Sequence, residues 1–408
     1  MSSGPSGPFL SLKSQRGPNW PLALLLISRK KTARMNIIAI TSESQFLQLK
    51  DQWKKLNNEP LRSWEWNYYW WKFLGQDFEL RIIVGTEGDR VVGIAPFIVE
   101  SRKSEACLRF IGSGRTCTDY AQLIVADGYS EEFCSAIVDE VKRPSGLLSD
   151  VLLVELEGVS TDVNSFGLSE LLGGEFWNYS RDLESTWVAE LPEEWDEFLK
   201  QRCKSLRRKI RKGLKRYDSG EAVGLSTEEG LDFEAAFETL VELHQQRFVA
   251  KGEPGCFADR RFYDFLKHAT MELHEQGLAH IVQCQHLDEV VATHICLMTE
   301  NGFQMYQSGI QINKMEIEPG HLILTHIFKS AIERGYTNVD FLRGNERYKR
   351  NWGGKPTALY TVRCVSNRMS STFKHQFIRG ARQLKNWARD STFFQKSVGR
   401  NPKHSAAK

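Results

Sequence analysis

The chain has 408 residues, 41% hydrophobic and 26% charged, which is typical of a globular protein of about two domains. Its net charge of +3 is too small for a protein whose whole surface binds nucleic acid. No apolar run reaches the roughly 18 residues of a membrane span, so no membrane span is predicted.

The cysteines argue against metal and redox chemistry. There are eight, scattered along the chain, and none forms a C-x-x-C pair. The histidines lack H-x-x-x-H spacing, so no metal site is expected. In a chain of this size the pattern indicates reduced, partly buried thiols, and we expect a cytoplasmic protein.

The first 34 residues are polar and contain proline and glycine, and Met35 stands directly before the strand-like segment 37–40. The apolar run 21–27 is short, and Arg29-Lys30-Lys31 follows it almost at once. A targeting sequence is therefore the less favoured interpretation. We expect residues 1–34 to be disordered or not part of the native protein.

The first half of the chain then predicts alternating helices and strands. Thr41 or Ser42 can cap a helix with an apolar stripe. The aromatic run 64–71 favours a buried helix at a domain interface over a ligand platform. Strands are predicted at 80–86, 91–99, 107–111, 120–125 and 151–156, with a helix at 131–141.

A basic helix is predicted between the halves. Residues 202–216 carry nine basic side chains and no acidic one, on a helix with an apolar stripe. Three interpretations stay open: a solvated face, a positive wall that includes Arg207, Arg208 and Arg211 and binds an anionic substrate or cofactor, and an RNA-binding surface.

The second half repeats the order of the first. Helices fit 232–248 and 260–275, and strands fit 278–284 and 290–298. At an offset of 199, Ile82 falls on Ile281 and Asp89 on Asp288. Later, Leu156-Glu157-Gly158 falls on Leu342-Arg343-Gly344. These matches favour two copies of one α/β unit over a chance likeness of two hairpins.

The segment 318–352 holds the clearest site signal. Pro319-Gly320 opens a helical apolar stripe that ends before Gly335, and a short strand is predicted at 337–342. The start of such a helix offers free backbone N–H groups to an anion, and Gly320 permits close approach. A plain helix start on a proline is the alternative.

This segment and its surroundings resemble the CelD-type or BioF-like acetyltransferase domain of the GNAT superfamily, which is related to the Fem-type aminoacyltransferases. The resemblance runs closely from about residue 200 to 352, and the basic segment 206–212 resembles the start of that domain. The matching residues are Ser308, Gly309, Pro319, Gly320, Leu322, Gly335, Asp340, Phe341, Arg343, Gly344, Tyr348, Lys349 and Trp352.

The resemblance implies an α/β fold (α+β, with mixed sheets) that is built from two tandem GNAT-like units. We expect a first, non-catalytic unit at 35–190, a catalytic unit at 191–365 and a basic tail at 366–408. Because Glu157 stands where the second copy has Arg343, and an acidic residue repels phosphate, we expect the cofactor in the second unit.

The resemblance also implies site residues. Acetyl-CoA or another acyl-CoA would be the co-substrate, with an oxyanion N–H near residues 306–309 and Tyr348 as general acid. Asp340, Glu346 and His294 are the candidate bases, although Asp340 also fits a structural carboxylate bonded to Arg343 or Lys349, and His294 a core histidine. The candidate cofactor-binding residues are Ser308, Gly309, Pro319, Gly320, His321, Arg343, Gly344 and Lys349.

The expected function is transfer of an acetyl or other acyl group to an amine of a small molecule, sugar or polysaccharide precursor, by family analogy. One alternative is a Fem-type enzyme that takes its acyl group from aminoacyl-tRNA. Another is a non-catalytic module that binds RNA or other anions through the basic helix.

Overall fold

The computed structural model describes residues 35–102, 105–160, 168, 172, 176–182 and 184–367. The predicted extension 1–34 and nearly all of the predicted tail 366–408 lie outside these residues.

The described helices and strands alternate as the sequence predicts. The helices are α1 (Glu43–Gln48), α2 (Lys50–Leu56), α3 (Trp64–Leu74), α4 (Ser130–Lys142), α5 (Trp195–Lys200), α6 (Lys204–Asp218), α7 (Phe233–Val249), α8 (Arg260–Glu275), α9 (Pro319–Glu333) and α10 (Arg347–Asn351). The strands are β1 (Asn36–Ile40), β2 (Glu79–Leu80), β3 (Ile82–Glu87), β4 (Arg90–Ala95), β5 (Phe97–Arg102), β6 (Glu105–Phe110), β7 (Ile124–Val125), β8 (Val151–Val159), β9 (Phe176–Asp182), β10 (Thr186–Glu190), β11 (Ala222–Ser226), β12 (Ala279–His286), β13 (Glu289–Thr299), β14 (Gly302–Ile310), β15 (Asn338–Arg343), β16 (Lys355–Thr357) and β17 (Tyr360–Ser366).

Local signals explain where the main helices begin and end. Ser42 caps α1 in a capping box with Gln45, as one of the two predicted caps. The Asp232 carboxylate accepts the Ala235 amide at 2.8 Å at the start of α7. α9 begins on Pro319, and Gly335 follows its end with a φ of 74°.

The strands form three mixed or antiparallel sheets. Their orders are β1-β3-β4-β7, then β2-β5-β6-β8-β17-β9, then β11-β12-β13-β14-β15-β10-β16. β4 and β5 are joined at Pro96, so the chain passes there from the first sheet into the second.

The structure confirms that the two halves repeat one α/β unit. Each has an antiparallel hairpin, β3 with β4 and β12 with β13, whose turns contain Asp89 and Asp288. Each then has a parallel pair of strands, β6 with β8 and β14 with β15. A helix connects the strands of each pair, α4 in the first unit and α9 in the second.

The two units exchange strands. β10 lies before the predicted boundary at 190, yet it pairs with β15 of the second unit. β17 ends the second unit in sequence, yet it lies between β8 and β9 of the first. Hydrogen-bond ladders therefore join the two units in both directions, a feature that local sequence patterns do not reveal.

The aromatic helix α3 is a packing element at the contact between the units. Trp64, Trp66, Tyr68 and Trp70 are all buried. The Trp66 ring makes edge contacts with Phe265 of α8 and with Tyr306 of β14, each at 4.9 Å between centroids. The core interpretation of this aromatic run is therefore confirmed.

The predicted strand 120–125 is shorter than expected. Only Ile124–Val125 forms β7, and residues 111–123 form a long loop. Cys117 and Tyr120 have φ of 47° and 61°, a left-handed backbone conformation that is incompatible with a strand. The indole N–H groups of Trp66 and Trp70 donate to Thr118 and Thr116 at 3.0 and 3.1 Å, so α3 holds this loop in place. We call residues 111–123 the interdomain loop, because they also contact the second unit.

Candidate active site at the gap between two parallel strands

The second unit contains a gap between two neighbouring strands. β14 and β15 pair from Gly302 with Asn338 to Gln304 with Asp340, and not beyond. At the same level the register of β14 with β13 shifts between Ile295 and Cys296, which is a bulge. Because a bulge bends its strand, β14 turns away from β15 and leaves backbone groups unpaired in the gap.

The Ser308 amide falls in the range 306–309 predicted for the oxyanion donor, two residues past Tyr306, which the bulge leaves without a register partner. It donates to the Oε1 atom of Gln307 at 3.2 Å. Gln307 in turn donates to the Cys256 Sγ atom at 3.4 Å. The Gln307 side-chain oxygen is thus the acceptor at this N–H, and a role of the N–H at an oxyanion stays a prediction.

Gly309, a predicted cofactor residue, has a packing reason for being glycine. A Cβ atom added there would lie 2.7 Å from the Leu243 Cβ atom and 2.9 Å from the Leu240 carbonyl oxygen. The last turns of α7 therefore lie directly on β14 at this point. Arg247 follows one turn later on α7, half-buried, and makes no ion pair with any residue that the structure describes.

His294 lies across from Ser308 on β13. Burial, followed by the nearby Arg247 charge, lowers the pKa of His294 to about 3. A group that holds a proton so weakly is a poor base at neutral pH. The core-histidine interpretation fits this position better than the catalytic one.

The start of α9 offers few donors to an anion. Pro319 has no N–H, and the amides of His321 and Leu322 both donate to the Glu318 carbonyl oxygen, at 2.9 and 3.1 Å. Among the described residues, none accepts the Gly320 amide. A Cβ atom at Gly320 would lie 3.3 Å from the end of the Ile310 side chain, so a small substituent fits with a slight shift.

The basic helix α6 lies against this start. Gly213 of α6 faces Leu322 and Thr325 of α9. The Lys209 ammonium pairs with the Glu318 carboxylate at 2.5 Å, and Arg216 donates to the Ile317 carbonyl oxygen at 2.7 Å. The apolar stripe of α6 thus turns Lys209 and Arg216 toward the predicted anion site.

The three predicted substrate-binding arginines lie elsewhere on α6. Arg208 and Arg211 are exposed and Arg207 is half-buried. None of the three forms an ion pair with a described residue. Their role at a cleft stays a prediction, and Lys209 and Arg216 are the basic residues that the sequence interpretation missed.

Tyr348, the predicted acid, lies on α10 directly after β15 and is 37% exposed. Its ring meets that of Phe341 edge-on at 5.7 Å. Burial, followed by Glu346, raises the pKa of Tyr348, while Arg247 lowers it. The phenol is therefore protonated at neutral pH, as a proton donor must be.

His321, in the first turn of α9, is fixed by an aromatic contact. The Trp352 indole donates to His321 Nδ1 at 3.3 Å, and the two rings stack at 6.1 Å. Burial, with Lys209, lowers the pKa of His321. The ring is thus held neutral beside the first turn of α9.

Arg343 binds the first unit. Its backbone N–H donates to Asp119 at 2.8 Å, and its side chain pairs with both Asp119 and Glu157, the latter at 3.0 Å. Glu157 is the residue that the repeat places opposite Arg343, so equivalent positions of the two units contact each other. Arg343 is thus engaged with protein carboxylates, and its role at a cofactor stays a prediction.

Lys349, Glu346 and Gly344 form a tight turn after β15. The buried Lys349 ammonium donates to the carbonyl oxygens of Arg343 and Leu342 at 2.7 and 3.2 Å and pairs with Glu346 at 3.0 Å. Gly344 has a φ of 121°, which favours glycine. These contacts fix the direction in which the chain leaves β15 and begins α10.

Asp340 is bound by the interdomain loop. The Tyr120 hydroxyl donates to its Oδ2 atom at 2.7 Å and the Leu342 amide to its Oδ1 atom at 2.8 Å. Neither Arg343 nor Lys349 is the hydrogen-bond partner of this carboxylate, contrary to the structural interpretation of the sequence. Burial raises the pKa of Asp340 to about 7.

Three groups of this site carried no sequence signal, namely Asp119, Tyr120 and Arg247. The first two belong to the interdomain loop and lie more than 200 residues from their partners. Arg247 is one of several polar residues at the end of an amphipathic helix. Only the fold brings these groups to the gap.

A sequence-family comparison agrees with this architecture. Residues 204–350 match the family model described as "Acetyltransferase (GNAT) domain". The chain carries a GNAT acetyltransferase domain. The matched segment begins at α6 and ends in α10, so it contains the gap, the start of α9 and Tyr348. No curated protein matches the chain.

Comparison with solved structures extends the likeness to both units. FemX is 14% identical over 80% of this chain and 97% of its own, with a TM-score of 0.55. The C-terminal domain (DUF2156) of a proposed lysylphosphatidylglycerol synthetase from Agrobacterium fabrum is 8% identical, with coverages of 80% and 93% and a TM-score of 0.50. At such identities the likeness concerns the fold, which is that of two GNAT-like units related to FemX.

Two further observations concern the described residues. None of their helices combines the length and the apolar character needed to cross a lipid bilayer. They also contain no group of three or more His, Cys, Asp or Glu side chains placed to hold a metal ion.

Proposed function

We propose that this protein is an N-acyltransferase that moves an acetyl or other acyl group from acyl-CoA to an amine of a small molecule, sugar or polysaccharide precursor. The observation that carries the proposal is the position of Tyr348. It lies on the helix directly after β15, beside the gap, protonated and partly exposed. A proton donor at that place suits the departure of a thiolate.

The chemistry needs few further parts. The amine nitrogen attacks the thioester carbonyl, and the Ser308 N–H is the donor that would stabilise the resulting oxyanion once Gln307 moves aside. The C–S bond then breaks, and Tyr348 protonates the leaving thiolate. The Gly320 amide, with Lys209 and Arg216 nearby, is the proposed contact for the diphosphate of the donor.

Acyl transfer is tested with the full chain, acetyl-CoA and a panel of amino sugars, amino acids and nucleotide-linked amino sugars. Thiol release and product mass are the readouts. Tyr348→Phe should lower kcat by roughly 10²-fold with little change in acetyl-CoA affinity. Tyr129→Phe is the matched control, because that hydroxyl binds Glu87 on the first unit. Equal kcat values for the two variants would contradict the role of Tyr348.

Donor binding is tested separately at Gly320. A valine there pushes against Ile310 and covers the one free amide of the helix start, so acetyl-CoA affinity should fall at least roughly tenfold. Gly320→Ala, whose Cβ needs only a slight shift of Ile310, should keep the melting temperature and lose less affinity. Normal binding by Gly320→Val would place the donor elsewhere.

A second candidate keeps the acyl chemistry and changes the donor to an aminoacyl-tRNA. The exposed basic side chains of α6 favour it, since Lys204, Arg208, Arg211 and Lys215 face solvent and the acidic residue of this helix, Asp218, lies at its last position. Salt-sensitive tRNA retention, with aminoacyl transfer and no use of acetyl-CoA, would support this donor. RNA retention without any acyl transfer would instead support a binding module.

A further inference from the structure

The Tyr120–Asp340 contact joins the two units at the floor of the gap. Asp340 belongs to the last paired position of β14 and β15, where the strands begin to separate. Tyr120 comes from the interdomain loop of the first unit, and its hydroxyl donates to Asp340 Oδ2 at 2.7 Å. Their separation of 220 residues means that neither unit alone can form this pair.

The two side chains differ in their access to solvent. Asp340 is only 5% exposed, and its second oxygen is already bound by the Leu342 amide. Tyr120 is half-buried and is thus the more exposed residue of the pair. A proton that reaches the carboxylate from the gap therefore has a hydrogen-bonded route through the phenol.

The backbone around the pair is strained. Tyr120 and Leu342 have φ of 61° and 54°, and neither is a residue that favours the left-handed region. Such conformations are unfavourable for residues with a Cβ atom and concentrate at functional sites. The surrounding contacts hold them, chiefly the Arg343 pair with Asp119 and the Trp66 and Trp70 bonds to the loop.

We propose that Tyr120, supplied by the first unit, removes the proton of the acceptor ammonium and relays it to Asp340. This inference rests on the proposed acyl transfer. The phenol oxygen takes the ammonium proton while its own proton passes to Asp340 Oδ2, which leaves a neutral amine and a carboxylic acid. The amine then attacks and the C–S bond breaks, and Tyr348 protonates the leaving thiolate. The proton that the new amide nitrogen loses restores the Tyr348 phenol, and Asp340 later releases its own proton to solvent.

The charges around the pair suit this role. The pKa of Asp340 is raised to about 7, chiefly by burial and less by Asp119, against the hydrogen bonds from Tyr120 and Leu342 and the charge of Lys349 on α10, which lower it. Tyr120 also faces Asp119 and the Thr186 hydroxyl of β10, and its pKa is raised. At neutral pH the carboxylate can thus accept a proton and return it, and the tyrosine stays neutral between transfers.

The kinetic test uses the full chain, acetyl-CoA and the amine acceptor that the panel assay identifies. Tyr120→Phe keeps the ring and should lower kcat by roughly 10²- to 10³-fold, with the KM for acetyl-CoA within about threefold. Wild-type kcat should rise with pH through about 7, because the carboxylate must be ionised. This rise of kcat with pH should be absent in Tyr120→Phe and Asp340→Asn. If kcat of Tyr120→Phe stays within about twofold of wild type and still rises with pH through about 7, the relay is overturned.

A second measurement does not depend on turnover. Carbon-13 NMR of labelled aspartate, assigned with Asp340→Asn, follows the Asp340 carboxyl in the folded protein. Its midpoint should lie near 7 and rise in Tyr120→Phe, because the phenol hydrogen bond lowers the pKa. A midpoint near 4, or one that Tyr120→Phe leaves unchanged, overturns the relay. The expected titration together with no acyl transfer by wild type would instead count against the proposed function.

Discussion

Burial of the Asp340 carboxyl links the stability of the fold to pH. Its pKa is raised from 3.8 to about 7, chiefly by burial, whereas the unfolded chain ionises this group near its ordinary value. Between those values the folded protein keeps a proton that the unfolded chain has lost. The contribution of this group to the free energy of unfolding is therefore full below the lower value and declines as pH rises through about 7.

Replacing Asp340 with asparagine should remove that dependence. We expect the free energy of unfolding to vary less between about pH 4 and pH 7 in Asp340→Asn than in wild type, with a difference of at most roughly 4 kcal/mol across the window. Urea unfolding at several pH values measures it. Asp127→Asn, at an exposed position, is the control and should follow wild type. Parallel curves for both variants would mean that Asp340 is ionised throughout.

At the scale of single elements, an ion pair links α6 to the start of α9. The Lys209 ammonium lies 2.5 Å from Glu318, the residue that caps α9 with a φ of 58°. A carboxylate at the start of a helix occupies the place that an anionic ligand would take. If a diphosphate binds there, Glu318 opposes it directly and also holds the nearest cation.

Glu318→Gln should therefore strengthen acetyl-CoA binding. The substitution removes the repulsion and frees Lys209, so we expect a gain of roughly threefold to tenfold at low ionic strength that shrinks at high ionic strength. Calorimetric titration at the two ionic strengths measures it. Glu316→Gln, two residues earlier and exposed, removes the same charge outside the ion pair and should change affinity less. A loss of affinity in Glu318→Gln would show that the diphosphate lies away from this helix.

The elements themselves were largely predictable from the sequence, because helical and alternating periodicity are local signals. The hairpins, α7, α8 and α9 lie close to their predicted bounds, and the family motif led to Tyr348 and Asp340. The interdomain loop was not predictable in this way. Its apolar residues look like a strand, and only α3 and Arg343, far away in sequence, hold it in its observed shape.

On the scale of the whole molecule, the repeat brings equivalent strands of the two units into contact. Glu157 and Arg343 occupy matching positions on β8 and β15, and they form an ion pair at 3.0 Å. The first unit also supplies Asp119 and Tyr120 to the same region. The expected role of the first unit, as a structural copy or a wall for the substrate, stays a prediction, and these contacts place its residues beside β15.

The exchange of β10 and β17 predicts that neither unit folds alone. A fragment of residues 1–190 lacks β17, which lies between β8 and β9, and therefore leaves β9 without a partner and β8 paired only with β6. A fragment of residues 191–408 lacks β10, which lies between β15 and β16. Unpaired strands in the middle of a sheet lose their ladder hydrogen bonds and expose apolar faces.

Each fragment expressed alone should thus be insoluble or show no cooperative thermal unfolding, whereas the two expressed together should associate, because each supplies the strand that the other lacks. Co-purification through a tag on one fragment and circular dichroism measure this. Val362→Asp, which places a charge at a buried position of β17, should prevent association, while Lys215→Asp at an exposed position of α6 should not. A cooperative unfolding transition from fragment 1–190 alone would show that β17 is not required by the first unit, and the two units would then be separable domains.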